Sequence, residues 1–203
     1  MEGKAGAASR LGGSCSPCHA LSNGDRASER VMEDTEHEMK IYTYPDPVLK
    51  TPAEPIREID EDLQRLIDWM IETMYAAPGI GLAANQVGVL KRVIVFDRHP
   101  SERGRDPAVL INPEIILGES QIKWDEACLS VPDFSAEVVR KGQVKVRGLD
   151  RHGNPSDIEA EDLLAVCLQH EVDHLNGTLF IDHISSLKRA LYKKKIMKMI
   201  KEQ

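Results

Sequence analysis

The 203-residue sequence has no long hydrophobic run and few aromatic residues. No stretch approaches the roughly 18 to 20 consecutive apolar residues of a membrane-spanning helix, and the N-terminus lacks the apolar core of about 7 to 15 residues typical of a secretory signal. We therefore expect a soluble protein that is not exported. Aromatic side chains make up only 4% of the chain, so the core must be mainly aliphatic.

Basic charge and cysteine are also scarce. There are 33 acidic against 26 basic side chains, which gives a net charge of -7. The protein as a whole is therefore a poor candidate for binding nucleic acid through bulk positive charge. Four cysteines, scattered along the chain, do not form the dense framework of a small secreted disulfide scaffold. We predict one globular domain in a reducing compartment.

Residues 1–38 differ in composition from the rest of the chain. The first thirty are rich in Gly, Ala and Ser, and an acidic run follows at positions 33–38. Because this segment has little to bury, we predict a disordered or non-native extension, with the folded domain in residues 39–203. Cys15 and Cys18 resemble half of a zinc site or a redox pair, but no second ligand pair lies nearby, so we assign them no metal.

Apolar periodicity predicts three helices. Residues 60–75 carry apolar side chains at spacings of three and four, and their acidic start suits the N-terminal end of a helix dipole. Residues 162–175 are apolar on nearly all sides, so this second helix should be buried, and Asn176-Gly177 should end it with a left-handed residue. A third helix starts near Ser186.

Between these helices, β-branched segments separated by turns predict short strands. They lie at residues 93–96, 109–111, 115–117, 137–139 and 144–146. The fold class that follows is α+β, with mostly antiparallel strands packed around the buried second helix and with helices near both ends of the domain.

The strongest chemical signal lies in the second helix, where His170, Glu171 and His174 form the pattern HExxH. Side chains four residues apart lie one turn above each other on a helix, so the two imidazoles can bind one metal ion with Glu171 turned toward the same space. The alternative is two solvated histidines beside a glutamate. A helix that is otherwise apolar disfavours that alternative, because buried polar groups need partners. We interpret the pattern as a metal site.

A catalytic metal usually has three protein ligands, and two histidines leave it one short. Downstream, His183 and Glu202 do not stand at an expected spacing. Upstream, Cys128 in the stretch Glu126-Ala127-Cys128-Leu129-Ser130 is a plausible thiolate ligand, although a lone cysteine is more often a small buried hydrophobe.

A third motif begins after the first helix. Residues 79–86 read GIGLAANQ, but no Lys-Ser/Thr follows and no strand precedes them, so a phosphate loop is not indicated. Small residues here instead allow a bound chain to approach the backbone, and the Gln86 amide can donate a hydrogen bond to an oxygen.

These three stretches, in this order, resemble the peptide deformylases, whose signatures are GxGxAAxQ, EGCLS and HExDH. The resemblance extends from about Met39 to the C-terminus, and residues 39–46 are similar to the start of bacterial members. It implies a hydrolase that removes the formyl group from N-formylmethionyl nascent chains.

The resemblance also implies the site. Cys128, His170 and His174 would hold one divalent metal ion, with Fe2+ as the native ion and Zn2+, Ni2+ or Co2+ as substitutes, and the residues themselves do not choose among these. Glu171 would take a proton from the metal-bound water that attacks the formyl carbon, and would return it to the leaving amine. The metal, the Gln86 amide and the Leu129 backbone N–H would stabilise the oxyanion.

The same resemblance assigns the substrate pocket. An apolar site for the methionine side chain would be formed by Ile80, Trp124, Leu163, Val166 and Cys167, although core packing is the more usual role of such residues. Gly81, together with Gly79, would allow the substrate to pair with the backbone.

Two positions depart from the family pattern. Ala127 replaces a glycine, and if its φ must be positive the loop beside Cys128 is strained. Residues 133–137 lack an arginine that many bacterial members have, whereas Arg140 matches. We interpret Asp173 as orienting a ligand.

The third helix is predicted to carry Leu187, Leu191, Met197 and Ile200 on one side and seven Lys and Arg side chains elsewhere. The resemblance implies a ribosomal contact for this basic helix, and an ordinary solvated lysine face is the alternative.

Two alternative functions remain open for the whole protein: a metallo-amidase or protease, and a non-catalytic metal-binding homologue. We expect a bacterial cytoplasmic protein.

Overall fold

The computed structural model describes residues 39–100 and 104–202, which belong to one compact unit, Glu36–Gln203. The predictions for residues 1–38, including the pair Cys15 and Cys18, concern residues outside this described part of the chain.

Three α-helices form where periodicity predicts them: α1 at Glu61–Ala76, α2 at Asp162–Leu175 and α3 at Ser186–Glu202. Asp60 caps α1, because its side chain accepts a hydrogen bond from Leu63 N at 2.8 Å. After α2 the chain reaches Gly177, whose φ of 72° confirms the left-handed end predicted from Asn176-Gly177.

The strands form two antiparallel sheets. A five-stranded sheet has the order β1-β2-β3-β6-β7, and β4 and β5 form a separate hairpin. The bounds are β1 Gly81–Ala83, β2 Val93–Asp97, β3 Pro107–Glu119, β4 Ile122–Cys128, β5 Val131–Arg140, β6 Gln143–Leu149 and β7 Pro155–Glu161. The α+β class and the antiparallel pairing are confirmed.

Local pattern was misleading at β3. The segments predicted as two strands, 109–111 and 115–117, are one strand, because register shifts absorb the irregularity near Asn112 and Pro113. Asn112 has a φ of 52°, and its side chain bonds both Ile56 N and Ile56 O at 2.8 Å.

Strands β1, β4 and β7 were not predicted. Four of the seven residues of β7 are polar, and pairing with β6 places opposite charges side by side, as in Arg147 with Asp157 and Lys145 with Glu159. Such cross-strand stabilisation comes from a neighbour, and only Ile158 and Ala160 contribute apolar contacts to the core from within the strand.

The sheet has helices on both faces, and the alternation of β2 shows how. Val93 and Val95 pack in one cluster with Leu63, Ile67 and Met70 of α1. Ile94 and Phe96 pack in a second cluster with Ala165, Cys167 and Leu168 of α2. All five residues of β2 are therefore buried, and α2 is held against the sheet as predicted.

Helix α3 does not bury the apolar side that the sequence shows. Leu187 and Leu191 are 70% and 60% exposed, and Met197 and Ile200 are also exposed. Tyr192 and Ile196 make the buried contact instead, in a cluster with the β4–β5 hairpin. No helix within the described residues is long and apolar enough to cross a bilayer.

Candidate metal centre and cleft

Helix α2 and the end of β4 bring three ligand-type side chains together. One ligand atom from each of Cys128, His170 and His174 lies within 4.8 Å of the others. The Nε2 atoms of the two histidines are 3.2 Å apart, and Cys128 Sγ lies 3.2 Å from His174 Nε2. One thiolate and two imidazoles form a donor set that suits Fe2+, Zn2+, Co2+ or Ni2+, so these residues fit a divalent metal with an open coordination position.

The two imidazoles are held differently. His170 Nδ1 lies 2.7 Å from Glu126 Oε2, which favours the tautomer with Nε2 free for a metal. His174 Nδ1 is buried without a protein partner in the described part of the chain. Burial and the neighbouring His170 hold the pKa of His174 well below its ordinary value, so its imidazole is neutral, the form that binds a metal ion.

A buried ionic network lies beneath this centre. Arg140, at the end of β5, bonds Glu126 through Nε at 2.6 Å and Nη2 at 3.1 Å, and bonds Asp173 through Nη1 at 2.6 Å. Burial alone raises the pKa of Glu126, but the hydrogen bonds from His170 and Arg140 outweigh it and hold that pKa below its ordinary value. His183 lies outside the ligand cluster and contacts Asp173 at 2.7 Å.

Glu171 lies on α2 between the two histidines and is only 4% exposed. Burial, with smaller contributions from Glu126 and Asp173, raises the pKa of Glu171 to about 7. Its Oε2 atom is buried without a hydrogen-bond partner among the described residues. A carboxylate with these properties is suited to accept and return one proton near neutral pH.

Gln86 is oriented by two contacts. Its Oε1 accepts a hydrogen bond from Ala83 N at 2.8 Å, and its Nε2 donates to Ser130 Oγ at 3.1 Å. Because Gln86 Oε1 bonds the backbone, Gln86 Nε2 must point toward the three ligand residues, and it lies 3.7 Å from Cys128 Sγ. Gln86 therefore presents N–H donors toward the ligands.

A cavity of about 690 Å³ opens beside these groups. It is lined by the predicted pocket residues Gly79, Ile80, Gly81, Trp124, Leu163, Val166 and Cys167. Gln86, Cys128, Leu129, His170 and Glu171 also line it. Burial raises the pKa of Cys167, whose thiol donates to Ile80 O at 3.5 Å, so this cysteine is a neutral wall of the pocket. Residues 87–125 and 131–169 separate the three sequence motifs along the chain, yet all three motifs line one cleft.

Some features of the cleft differ from expectation or were missed. Ala127 is not among the non-glycine residues with positive φ in the described part of the chain, so the condition under which alanine would strain this loop is not met. No role was assigned to Glu126, Ser130 or Arg140. The signals in the sequence were that Glu126 and Ser130 lie on either side of Cys128 in its motif and that Arg140 matches the family pattern, but the bonding partners of all three lie on other elements.

Comparisons with known proteins agree in one family. A sequence model described as polypeptide deformylase matches residues 38–190. Peptide deformylase of Thermodesulfovibrio yellowstonii is 59% identical over 157 residues, which cover 77% of this chain and 95% of that protein. For the enzyme of Cellvibrio japonicus the identity is 52% over 161 residues, covering 79% and 94%.

Solved structures give the same result. A peptide deformylase from Legionella pneumophila superposes with a TM-score of 0.75 at 44% identity, covering 82% of this chain and 97% of that chain. One from Ehrlichia chaffeensis, in complex with actinonin, has a TM-score of 0.74 at 40% identity, with coverages of 80% and 97%.

Proposed function

We propose, from the premise that this chain belongs to the polypeptide deformylase family, that it hydrolyses the formyl group from the N-formylmethionine of nascent polypeptides and releases formate. It is a metal-dependent hydrolase. The observation that carries the proposal is the convergence of Cys128, His170 and His174 with the buried carboxylate of Glu171 at one cavity.

The three ligand residues would hold one divalent ion, which we propose to be Fe2+, with Zn2+, Ni2+ or Co2+ as substitutes. When bound, such an ion acts as a Lewis acid for the formyl carbonyl and makes a water more acidic. Metal analysis of protein purified without oxygen tests its identity, and anaerobic handling keeps the Cys128 thiolate from oxidation. Fe2+ in amounts equimolar to the protein is expected, and a different stoichiometric ion would contradict the assignment.

Glu171 performs both proton transfers in this proposal. Its carboxylate takes a proton from the attacking water and then gives that proton to the departing amine nitrogen, so that formate and a free methionyl amine result. The pKa of about 7 suits both directions of transfer, and the burial that causes it keeps bulk water from Glu171.

Negative charge that develops on the formyl oxygen needs donors aimed at it. The Gln86 Nε2–H group and the backbone N–H of Leu129, in the turn between β4 and β5, are the donors we propose. The methionine side chain would enter the pocket of Ile80, Trp124, Leu163, Val166 and Cys167, and Gly79 and Gly81 would let the substrate backbone approach.

Three peptides test the function. N-formyl-Met-Ala-Ser should be hydrolysed, with formate as product, and the N-acetylated peptide and an internally cleaved reporter peptide should not. Glu171→Gln, which keeps the size of the side chain, should lower kcat by roughly 10² to 10⁴ because the proton acceptor is lost. Cleavage of only the internal reporter would favour a protease.

A non-catalytic homologue is the second alternative. It would bind metal with the same affinity but would not hydrolyse the formylated peptide, so Glu171→Gln would change no measured rate.

The Ehrlichia chaffeensis relative was solved with actinonin. We therefore also propose that actinonin binds the cavity of this chain, and calorimetry of the metal-loaded protein tests this independently of turnover.

The C-terminal helix is the surface we propose for contact with the ribosome. Helix α3 carries seven Lys and Arg side chains, and its apolar Leu187 and Leu191 are exposed rather than packed. Co-sedimentation with ribosomes should weaken steeply as salt rises and should be lost when Lys193, Lys194 and Lys198 become Glu. Unchanged co-sedimentation of this variant would exclude the helix as the contact.

We further propose that the enzyme acts in the bacterial cytoplasm, where its substrates are made and where Cys128 stays reduced. Residues 39–203 would form the complete catalytic domain, since relatives match this part over nearly their whole length. Removal of residues 1–38 should leave kcat/KM unchanged, and fractionation of cells followed by activity measurement tests the location.

A further inference from the structure

Arg140 joins two carboxylates that belong to different elements. Its side chain is 6% exposed, and its three donor nitrogens bond Glu126 on β4 and Asp173 on α2 at 2.6 to 3.1 Å. A buried cation with two carboxylate partners is costly to disrupt, because removing it leaves buried negative charge without compensation.

Each of these two carboxylates lies close to residues that we propose as metal ligands. Glu126 bonds His170 Nδ1 at 2.7 Å and stands two positions before Cys128 on the same strand. Asp173 directly precedes His174 on α2, and its Oδ2 atom also contacts His183 at 2.7 Å. The Arg140 guanidinium therefore connects the strand that carries the thiolate to the helix that carries both imidazoles.

The geometry points to Arg140 as a positioning residue for metal binding, which rests on the proposal that Cys128, His170 and His174 hold the ion. It fixes the Glu126 carboxylate against His170, so that the free Nε2 atom faces the centre, and it holds β4 at a set distance from α2. A lysine at this position would keep the positive charge. Its single ammonium group cannot make the two parallel hydrogen bonds to Glu126 and also bond Asp173.

A matched pair elsewhere in the fold provides the control. Arg147 on β6 makes the same forked contact with Asp157, through Nε at 2.9 Å and Nη2 at 3.0 Å. This pair is exposed, with 60% of the Arg147 side chain accessible, and belongs to the five-stranded sheet rather than the hairpin. Arg147→Lys thus makes the same chemical change without touching the ligands.

The test compares Arg140→Lys with Arg147→Lys by three measurements on purified protein. They are Zn2+ affinity from chelator competition, the visible spectrum of the Co2+ form, which reports thiolate and imidazole coordination, and thermal unfolding of the metal-free protein. We expect Arg140→Lys to weaken Zn2+ binding by roughly 10- to 100-fold and to change the Co2+ spectrum, and Arg147→Lys to change neither.

Asp173→Asn is the second variant, in case Arg140→Lys does not fold. Its amide still accepts a hydrogen bond but lacks the charge, so we expect a smaller loss of Zn2+ affinity than for Arg140→Lys and the same direction of change in the Co2+ spectrum. A folded Arg140→Lys protein, or failing that a folded Asp173→Asn protein, with wild-type Zn2+ affinity and Co2+ spectrum would overturn the inference, even if the metal-free form unfolds earlier.

The outcome also separates this inference from the proposed function. Wild-type protein that binds no stoichiometric Zn2+ or Co2+ would contradict the proposed metal site itself. Normal binding by the wild type together with unchanged binding by folded Arg140→Lys, or by Asp173→Asn where Arg140→Lys does not fold, would reject only the role of Arg140.

Discussion

A Cβ atom on residue 81 would lie 2.6 Å from Glu171 Oε1, so any residue other than Gly81 would force the Glu171 side chain to shift. The same Cβ would lie 2.7 Å from Cys167 Sγ. Gly81 of the first motif therefore allows β1 to pass directly over Glu171 of the third motif, the carboxylate that we propose as acid and base, at the place where we propose that a substrate backbone pairs.

Gly81→Ala should reduce kcat/KM by about 100-fold or more, because the added methyl group would push the Glu171 carboxylate out of place. A misplacement of about 1 Å costs roughly 10² in rate. Metal content should stay at the wild-type level. Gly118→Ala is the control, since its Cβ would meet only the flexible side chain of Lys141. Full activity of Gly81→Ala would show that Glu171 has room to adjust.

Ser130→Ala should lower kcat by about tenfold at nearly constant KM, less than the roughly 10² to 10³ expected for loss of the donor in Gln86→Ala. Ser130 is fully buried, and its Oγ atom is the hydrogen-bond acceptor that aims Gln86 Nε2. The double variant should lose no more activity than Gln86→Ala alone. Additive losses in steady-state assays would mean that Ser130 acts by another route.

The raised pKa of Glu171 predicts a pH-dependent stability of the metal-free protein. Folding favours the protonated form, so its stabilising effect is complete below the ordinary pKa of 4.5 and is lost as pH rises through about 7. Relative to Glu171→Gln, the wild type should therefore lose about 3 kcal/mol of unfolding free energy between these limits.

Urea unfolding at several pH values, with chelator present, measures this difference. Glu126 and Asp173 have lowered pKa values and contribute in the opposite sense, with stability that is lost as pH falls. They are present in both proteins, so the comparison with Glu171→Gln removes most of their effect. A difference that does not change with pH would contradict the raised pKa.

Tyr75→Phe should destabilise the fold by about 1.5 to 3 kcal/mol without changing metal affinity, because hydrogen bonds to charged groups contribute about this much. Tyr75 OH bonds the buried carboxylate of Asp97 at 2.6 Å, and this pair lies at the end of β2, outside the cleft. Denaturant unfolding measures the effect. Tyr44→Phe is a control with the same chemical change at another tyrosine.

Local pattern was sufficient for the helices and for part of the site. The bounds of α2 follow from an apolar run and an Asn-Gly end, and the approach of His170 to His174 follows from 3.6 residues per turn, because both depend on neighbours within the same segment. The backbone of Ala127 and the exposed apolar side of α3 do not follow in this way. Pairing of β4 with β5 sets the backbone conformation of Ala127. The ring contacts of Tyr192 with Tyr44 and Phe134 decide which side of α3 is buried.

The sequence by itself therefore determined the helices, the fold class and the two imidazoles that α2 presents together. Only the tertiary structure decided that Cys128 meets His174 across 46 residues, that Gly81 passes over Glu171, and that Arg140 joins Glu126 to Asp173. The physical reason is that periodicity and capping act over one or two turns, whereas strand register and helix packing set the distances between elements far apart in the chain.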